Sequence, residues 1–325
     1  MGYPLRWTPP DETGWCPVEV TLRTVGRRLL LRPSTKLTLR INGILARAQK
    51  LTGVRVHLPA FPSNHGPKIL SVRGDGDLSR FMQYVAGNIA REVQHFVPEW
   101  QGRVWGRRYR HSLLTNDEPT LVERFRYVLA QGCLKENLVE SPLDWPGPTS
   151  VRALYDGSLL VRGEWVDRTA LYRAREKGED VTEDDFTTSE TLELSPLPCY
   201  EHWPAEQYHA WVRDMIADIE HEGRVRRRTE GKRVLGVAKL LAADPLATPA
   251  PAKRTPAPLF LASCREDRKE WRARYREVLR AFLEASRQLR ECCVLDVEFP
   301  EFTFPPARRL RGPPVGARAG PAFAV

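Results

Sequence analysis

The amino-acid sequence predicts an α+β fold, in which an antiparallel, ferredoxin-like sheet carries helices on one face and a mostly α-helical extension follows toward the C-terminus. Two observations lead to this fold class. Strand-like and helix-like hydrophobic patterns alternate in the order β-α-β-β-α-β-α between residues 18 and 139. Beyond that block, two long amphipathic patterns predict helices over 204–228 and 265–291.

The first half of the predicted sheet contains three strands and one helix. The strand patterns lie at residues 18–23, 54–58 and 68–72. Between the first two strands, apolar residues recur at helical spacing from Ser34, a good N-cap, to Gly53, a typical helix stop. The segment 62–67 is rich in turn residues and is predicted to join the second and third strands.

The second half of the predicted domain contains one strand and two helices. Apolar residues over 78–93 predict a second helix, and a short strand is predicted over 109–114. Asn116 or Asp117 can cap a last helix over 119–131, which Gly132 ends.

These patterns divide the chain into four parts. They are an N-terminal lead (1–17), an α+β domain (18–150), an extended connection (151–203) and a helical C-terminal region (204–325). The last part includes a proline-rich linker over 245–258 and a proline-, glycine- and arginine-rich tail from Pro300.

The charge balance favours an anionic partner. Lysine and arginine number 50 against 41 acidic residues, which gives a net charge of +9 and a pI near 9.4. Nucleic acid is the first interpretation of such a surplus and a membrane surface the second. No apolar run approaches the roughly 20 residues that span a bilayer, and the N-terminus lacks a signal-peptide pattern. The six cysteines form no metal-binding spacing, which favours free thiols and a cytoplasmic location without a membrane role.

Two segments carry the residue types of a specific chemistry. Residues 62–65 read Pro-Ser-Asn-His and are followed by Ile-Leu at 69–70, while Tyr127 and Gln131 are four residues apart on a predicted helix. Together with the Trp-Gly-Arg-Arg-Tyr stretch at 105–109, these segments resemble the single-tyrosine HUH transposases, including the branch associated with repetitive extragenic palindromes (REPs). The resemblance spans about residues 18–151 and keeps the family's order of elements. Residues 194–199 and 299–306 resemble the C-terminal extension of longer, transposase-like members.

The resemblance implies an enzyme that nicks and rejoins single-stranded or hairpin DNA. Tyr127 would be the catalytic nucleophile that attacks the scissile phosphate. His65 and Gln131 would bind a divalent metal, Mg²⁺ or Mn²⁺, that polarises this phosphate. The family acts as dimers, so a homodimer is implied as well. A DNA-binding surface would come from Arg107, Arg108, Tyr109 and Arg110.

The sequence departs from the family at one ligand position. Two histidines at i and i+2 of a strand point to the same sheet face and can bind one ion, but Pro67 stands where the second histidine is expected. This departure favours an alternative function, a non-catalytic DNA- or hairpin-binding protein derived from a transposase. Two further interpretations remain open: a decaying coding sequence, or an ordinary hairpin turn with a turn histidine at His65 and a structural helix tyrosine at Tyr127.

Overall fold

The computed structural model describes residues 5–249, 258–291 and 297–303, and a four-stranded antiparallel sheet lies at its centre. The strands are β1 (Cys16–Arg23), β2 (Arg55–Pro59), β3 (His65–Val72) and β4 (Arg110–Leu114). They are ordered β2-β3-β1-β4, and every neighbouring pair is antiparallel. With one helix between β1 and β2 and another between β3 and β4, this is the ferredoxin-like topology. The predicted α+β class is confirmed.

The helix between β1 and β2 has the ends that its sequence predicts. Helix α1 runs over Thr35–Thr52, and the Ser34 side chain accepts a hydrogen bond from the Leu37 amide at its start. Gly53 ends it in the left-handed conformation, with φ of 68°. That conformation strains any residue with a β-carbon, so glycine is the natural stop.

Two further helices complete the domain. Helix α2 (Asp75–Phe96) connects β3 to β4, and helix α3 (Glu118–Leu129) follows β4. The Asp117 side chain caps α3 by accepting from the Thr120 amide. The predicted stop at Gly132 is replaced by a wider, π-helical turn over Gln131–Lys135, so the chain keeps turning past the predicted end of the helix.

Residues 151–203, predicted as an extended connection, contain regular elements. A short helix α4 (Val151–Asp156) precedes strand β5 (Leu160–Val166), helix α5 (Arg168–Glu176) and strand β6 (Thr187–Glu193). Strands β5 and β6 pair as an antiparallel ribbon that packs on α1. The packing combines buried apolar residues, such as Val161 and Leu192, with ion pairs of Arg47 and Lys50 to Glu190 at 3.1 and 2.6 Å. Strand β6 has a single apolar residue, Leu192, so its hydrophobic pattern is too weak to reveal the ribbon.

The C-terminal region is helical, as predicted. It contains α6 (Ala205–Glu230), a short α7 (Val237–Ala242) and α8 (Arg265–Glu291). Between the last two helices, the two-residue strand β7 (Phe260–Leu261) pairs in parallel with β4, which makes the complete sheet five-stranded and mixed. Most of the predicted proline-rich linker and tail, residues 250–257 and 304–325, lies outside the described residues.

Both long helices are attached to the domain through aromatic side chains. On α6, Trp211 lies 5.4 Å from the ring of Phe125 on α3. On α8, Trp271 lies 5.8 Å from the ring of Trp7. In the part of the chain that the structure describes, none of the helices combines the length and the apolar character needed to cross a membrane.

The contact of α1 with β5 depends on two glycines, and this generates a prediction. A β-carbon on Gly43 would lie 2.1 Å from the Glu164 carbonyl oxygen, and one on Gly163 would lie 2.1 Å from the Gly43 amide nitrogen. We expect Gly43→Ala to lower the free energy of unfolding by about 1–3 kcal/mol, because the ribbon must move away from the helix. Urea unfolding measures this change.

Gly87→Ala is the matched control. Gly87 lies on the exposed side of α2, where a β-carbon would meet nothing within 4 Å, so the substitution should stabilise the helix by about 0.5–1 kcal/mol. Equal losses of stability in both variants would contradict the proposed close contact.

Candidate functional site

The fold brings His65 and Gln131 into contact, although 66 residues separate them in the sequence. His65 is the first residue of β3 and pairs with Arg23, the last residue of β1. Gln131 begins the π-helical turn, directly after Ala130 leaves the α-helical conformation with ψ of 0°. This turn directs the Gln131 side chain toward the end of β3, where both side chains are buried at 6% and 2% exposure.

The hydrogen-bond partners of His65 define the protonation of its ring. Its Nδ1 lies 2.7 Å from Asn64 Oδ1 and its Nε2 lies 3.3 Å from Gln131 Oε1. A neutral imidazole has one N–H, so it can donate to only one of these oxygens. The shorter contact indicates that Nδ1–H donates to Asn64. The lone pair of Nε2 then faces the Gln131 oxygen.

The Gln131 amide is oriented by a second contact. Its Nε2 donates to the Tyr127 carbonyl oxygen at 3.3 Å, which directs Oε1 toward His65. Two electron-pair donors therefore face each other, an arrangement that a shared cation would satisfy.

Burial keeps His65 neutral. Removal from water lowers the pKa of its imidazole to about 4, and the nearby positive charge of Arg23 adds to this effect. A neutral imidazole is the form that binds a metal ion.

Tyr127 lies one helical turn before Gln131 and is half-buried. The Lys135 ammonium donates a hydrogen bond to its hydroxyl, and the Arg124 guanidinium lies over its ring, 4.0 Å from the centroid. Burial alone would raise the pKa of the phenol, but the hydrogen bonds from Lys135 and Gln131 and the Lys135 charge outweigh it and lower the pKa. The surroundings of Tyr127 therefore stabilise its phenolate.

Glu19 belongs to the same cluster and was missed at the sequence level. Its carboxylate forms an ion pair with Arg124 at 2.7 Å, which holds the guanidinium over Tyr127. Burial raises the pKa of Glu19, and the charge of Arg124 offsets only part of this. The signal in the sequence was a lone acidic residue inside the apolar pattern of the first strand, which is ordinary for an outward-facing strand position.

Pro67 lies on the same sheet face as His65, where the second histidine of the pair would stand. Residues opposite each other in an antiparallel pair share a face, and Thr21 pairs with both Pro67 on β3 and Arg110 on β4. The side chain of Pro67 offers no ligand atom. In residues 5–249, 258–291 and 297–303, no group of three histidine, cysteine, aspartate or glutamate side chains could hold a metal ion.

The two remaining donors nevertheless fit one ion. Two ligands at right angles on Mg²⁺ lie about 3 Å apart, because each bond is roughly 2.1 Å long, and His65 Nε2 and Gln131 Oε1 are separated by 3.3 Å. Mg²⁺ commonly keeps several waters and takes few protein ligands. The site therefore suits a weakly held ion whose other positions are left to water or a ligand.

The four residues predicted to bind DNA lie in different surroundings. Arg107, Arg108 and Arg110 are exposed, and Arg110 shares the sheet face of Pro67 and His65. Tyr109 precedes Arg110 by one residue and is buried, with its hydroxyl bonded to Arg6 and Ser79. Its ring is not presented as a stacking surface for a base, because the alternation along the strand turns it inward.

This chain is only distantly similar to known proteins. No protein-family model and no curated protein matches the chain. A crystal structure at 1.90 Å resolution of a candidate transposase from Deinococcus radiodurans R1 has 18% identity and a TM-score of 0.27, over 35% of this chain and 89% of that one. The structure of a REP-associated tyrosine transposase bound to a REP hairpin has 16% identity and a TM-score of 0.33, over 46% and 80%.

The buried His65 generates a prediction about pH. Its pKa in the folded state, about 4, lies below the 6.5 of an exposed histidine, so between these values the unfolded chain binds more protons than the folded one. Burial of His65 therefore destabilises the fold progressively as the pH falls from 6.5 to 4, and has no such effect above 6.5. An NMR titration of the imidazole should show it neutral at pH 5.5; a midpoint near 6.5 would contradict the buried, neutral ring.

Proposed function

We propose that this protein binds single-stranded or hairpin DNA, with a backbone phosphate at the cluster of Tyr127, His65 and Gln131, and that Pro67 prevents efficient strand cleavage there. One observation carries the proposal. The residues that the sequence predicts for one chemistry come from two distant segments of the chain. They come together because Gln131 contacts both His65 and Tyr127. An ordinary turn histidine and an unrelated helix tyrosine would have no reason to share a glutamine between them.

The charges around the cluster support a phosphate ligand. Arg23, Arg110 and Lys135 are exposed on its rim, and two of them lie beside named members: Arg23 pairs with His65, and Lys135 contacts the Tyr127 hydroxyl. Cations grouped in this way attract a polyanion and release its counterions on binding. Arg107 and Arg108 are also exposed, three and two residues before β4, and we include them in the proposed DNA surface.

A divalent ion, Mg²⁺ or Mn²⁺, would be held by His65 Nε2 and Gln131 Oε1. When bound, such an ion supplies Lewis-acid polarisation of a phosphate oxygen. Asn64 would orient the imidazole through Nδ1–H, in the way that outer partners orient metal-binding histidines. Because Pro67 contributes no third ligand, the proposed affinity is low.

A second candidate function, DNA strand transfer, is favoured by the surroundings of Tyr127. Its phenol oxygen would attack phosphorus and form a phosphotyrosine bond, while the bond from phosphorus to the neighbouring sugar oxygen breaks. The phenol proton would pass to water, and the leaving oxygen would take a proton from water. Lys135 and Arg124 would stabilise the phenolate and the charged phosphate. A homodimer and a cytoplasmic location accompany both candidates as predictions.

Removal of the rim charges tests the DNA site. We expect Arg23→Gln with Lys135→Gln to weaken binding to a labelled DNA hairpin roughly 10-fold near 0.1 M salt and to lower the salt dependence by about two counterions, because each cation contacts a phosphate. Fluorescence anisotropy measures both quantities.

The matched control removes two charges from a remote surface. Arg175 and Lys177 lie at the exposed C-terminal end of α5. The double variant Arg175→Gln, Lys177→Gln should leave hairpin affinity unchanged. Equal losses in both double variants would indicate attraction by net charge alone and would remove the support for a site at Tyr127.

A further inference from the structure

Over residues 265–277, helix α8 separates most of its cationic, acidic and apolar side chains onto three faces. Five cations recur on one of them and line a shallow groove: Arg265, Arg268, Lys269, Arg272 and Arg276. At about 100° per residue these five fall within a sector roughly 100° wide. All five are exposed, and we refer to them as the cationic stripe.

The acidic residues of α8 do not neutralise the stripe. Glu266, Glu270 and Glu277 lie on a neighbouring face, about 120° around the helix. No carboxylate within the described ranges comes within 4.0 Å of a stripe cation, and the ion pair of Arg287 with Glu284 lies farther along the helix. A face in which acids and bases alternate would have been the ordinary solvated surface of a helix; here the two signs are separated.

The third face is apolar and is already covered. Trp271 packs against Phe260 at 6.0 Å, and the Tyr275 hydroxyl donates to the Leu5 carbonyl at 3.2 Å. A basic amphipathic helix binds a membrane by inserting its apolar face, and the apolar face of α8 is occupied by the protein itself. This packing argues against a lipid surface as the partner.

We propose that the cationic stripe binds the phosphate backbone of double-stranded DNA, as a second surface separate from the Tyr127 cluster. The stripe runs straight for about 16 Å, because its outer members are eleven residues apart at 1.5 Å per residue. A rigid row of charges suits the regularly spaced phosphates of a duplex. Single-strand sites also need aromatic stacking surfaces, whereas the aromatic residues Trp271 and Tyr275 lie on the covered face.

The location of α8 relates this surface to the first one. Strand β7 is hydrogen-bonded to β4, and α8 begins four residues after β7 ends. Arg110, on the rim of the Tyr127 cluster, is the first residue of β4. Strand β7 pairs with Leu113 and Leu114, at the other end of β4 from Arg110, but Tyr275 of α8 lies near Arg108. Use of both surfaces by one hairpin rests on the proposed function, whereas duplex binding by the stripe does not.

The experiment uses the full chain and a blunt 20-base-pair duplex without single-stranded ends. We expect the combined variant Arg268→Gln, Lys269→Gln, Arg272→Gln and Arg276→Gln to bind this duplex at least ~10-fold more weakly near 0.1 M salt. The slope of log affinity against log salt should become shallower by about 3–4, close to 0.9 for each lost phosphate contact. Binding of a short single strand should change little, which separates this surface from the Tyr127 cluster.

Two controls keep the result interpretable. Lys36→Gln, Arg173→Gln, Arg175→Gln and Lys177→Gln removes the same number of exposed charges from α1, α5 and the residue that follows α5, and should leave duplex affinity unchanged. Replacing the three arginines of this variant, Arg268, Arg272 and Arg276, by lysine should retain the affinity, because the charge is kept. Circular dichroism before and after each change confirms the fold.

Two outcomes would overturn the proposal. One is duplex affinity that is equal in the stripe variant and the wild type. The other is stripe-dependent binding to phosphatidylserine vesicles without any binding to the duplex, which would assign the surface to a membrane. Absence of single-strand binding in the wild type, together with stripe-dependent duplex binding, would count against the Tyr127 cluster and not against the stripe.

Discussion

The pairing of β1 with β3 sets the positions on which the candidate site depends. It extends over eight residue pairs, from Cys16 with Val72 to Arg23 with His65. Because side chains alternate between sheet faces, a slip of one residue would turn His65 away from α3 and bring Gly66 into its place. The apolar residues Val18 and Leu70, paired and fully buried, hold this register. The hydrophobic core therefore fixes the position of a polar site that contributes little to stability by itself.

Burial shifts the pKa values of two side chains of the site. It lowers the pKa of the His65 imidazole to about 4 and raises the pKa of the Glu19 carboxyl. Arg124 offsets part of the cost for Glu19 and at the same time lies over the Tyr127 ring. A buried ion pair of this kind seldom adds net stability, but the loss of either partner leaves an uncompensated charge. This cost suggests a role in positioning Tyr127, since apolar residues would fill the same space more cheaply.

Local signals in the sequence predicted much of the fold. Caps at Ser34 and Gly53 marked both ends of α1, because a cap is a property of a few neighbouring residues. The ribbon of β5 and β6 was not predicted, since β6 has one apolar residue and its ion pairs with α1 form only in the folded chain. The same limit applies to the site. The spacing of Tyr127 and Gln131 was visible, whereas the contribution of Glu19 and the inward direction of Tyr109 depend on tertiary packing.

We propose that Tyr127 lies in a DNA-binding site in which Pro67 prevents strand cleavage. The most direct measurement incubates the full chain with a labelled DNA hairpin and Mn²⁺, and looks for a covalent protein–DNA band on a denaturing gel. We expect no covalent band for the natural chain and a covalent band for Pro67→His. The band should disappear again in the double variant Pro67→His, Tyr127→Phe. Pro67→Ala, which removes the proline without adding a ligand, should give no band either. A Tyr127-dependent band in the natural chain would contradict the proposal that Pro67 prevents cleavage, since two metal ligands would then suffice.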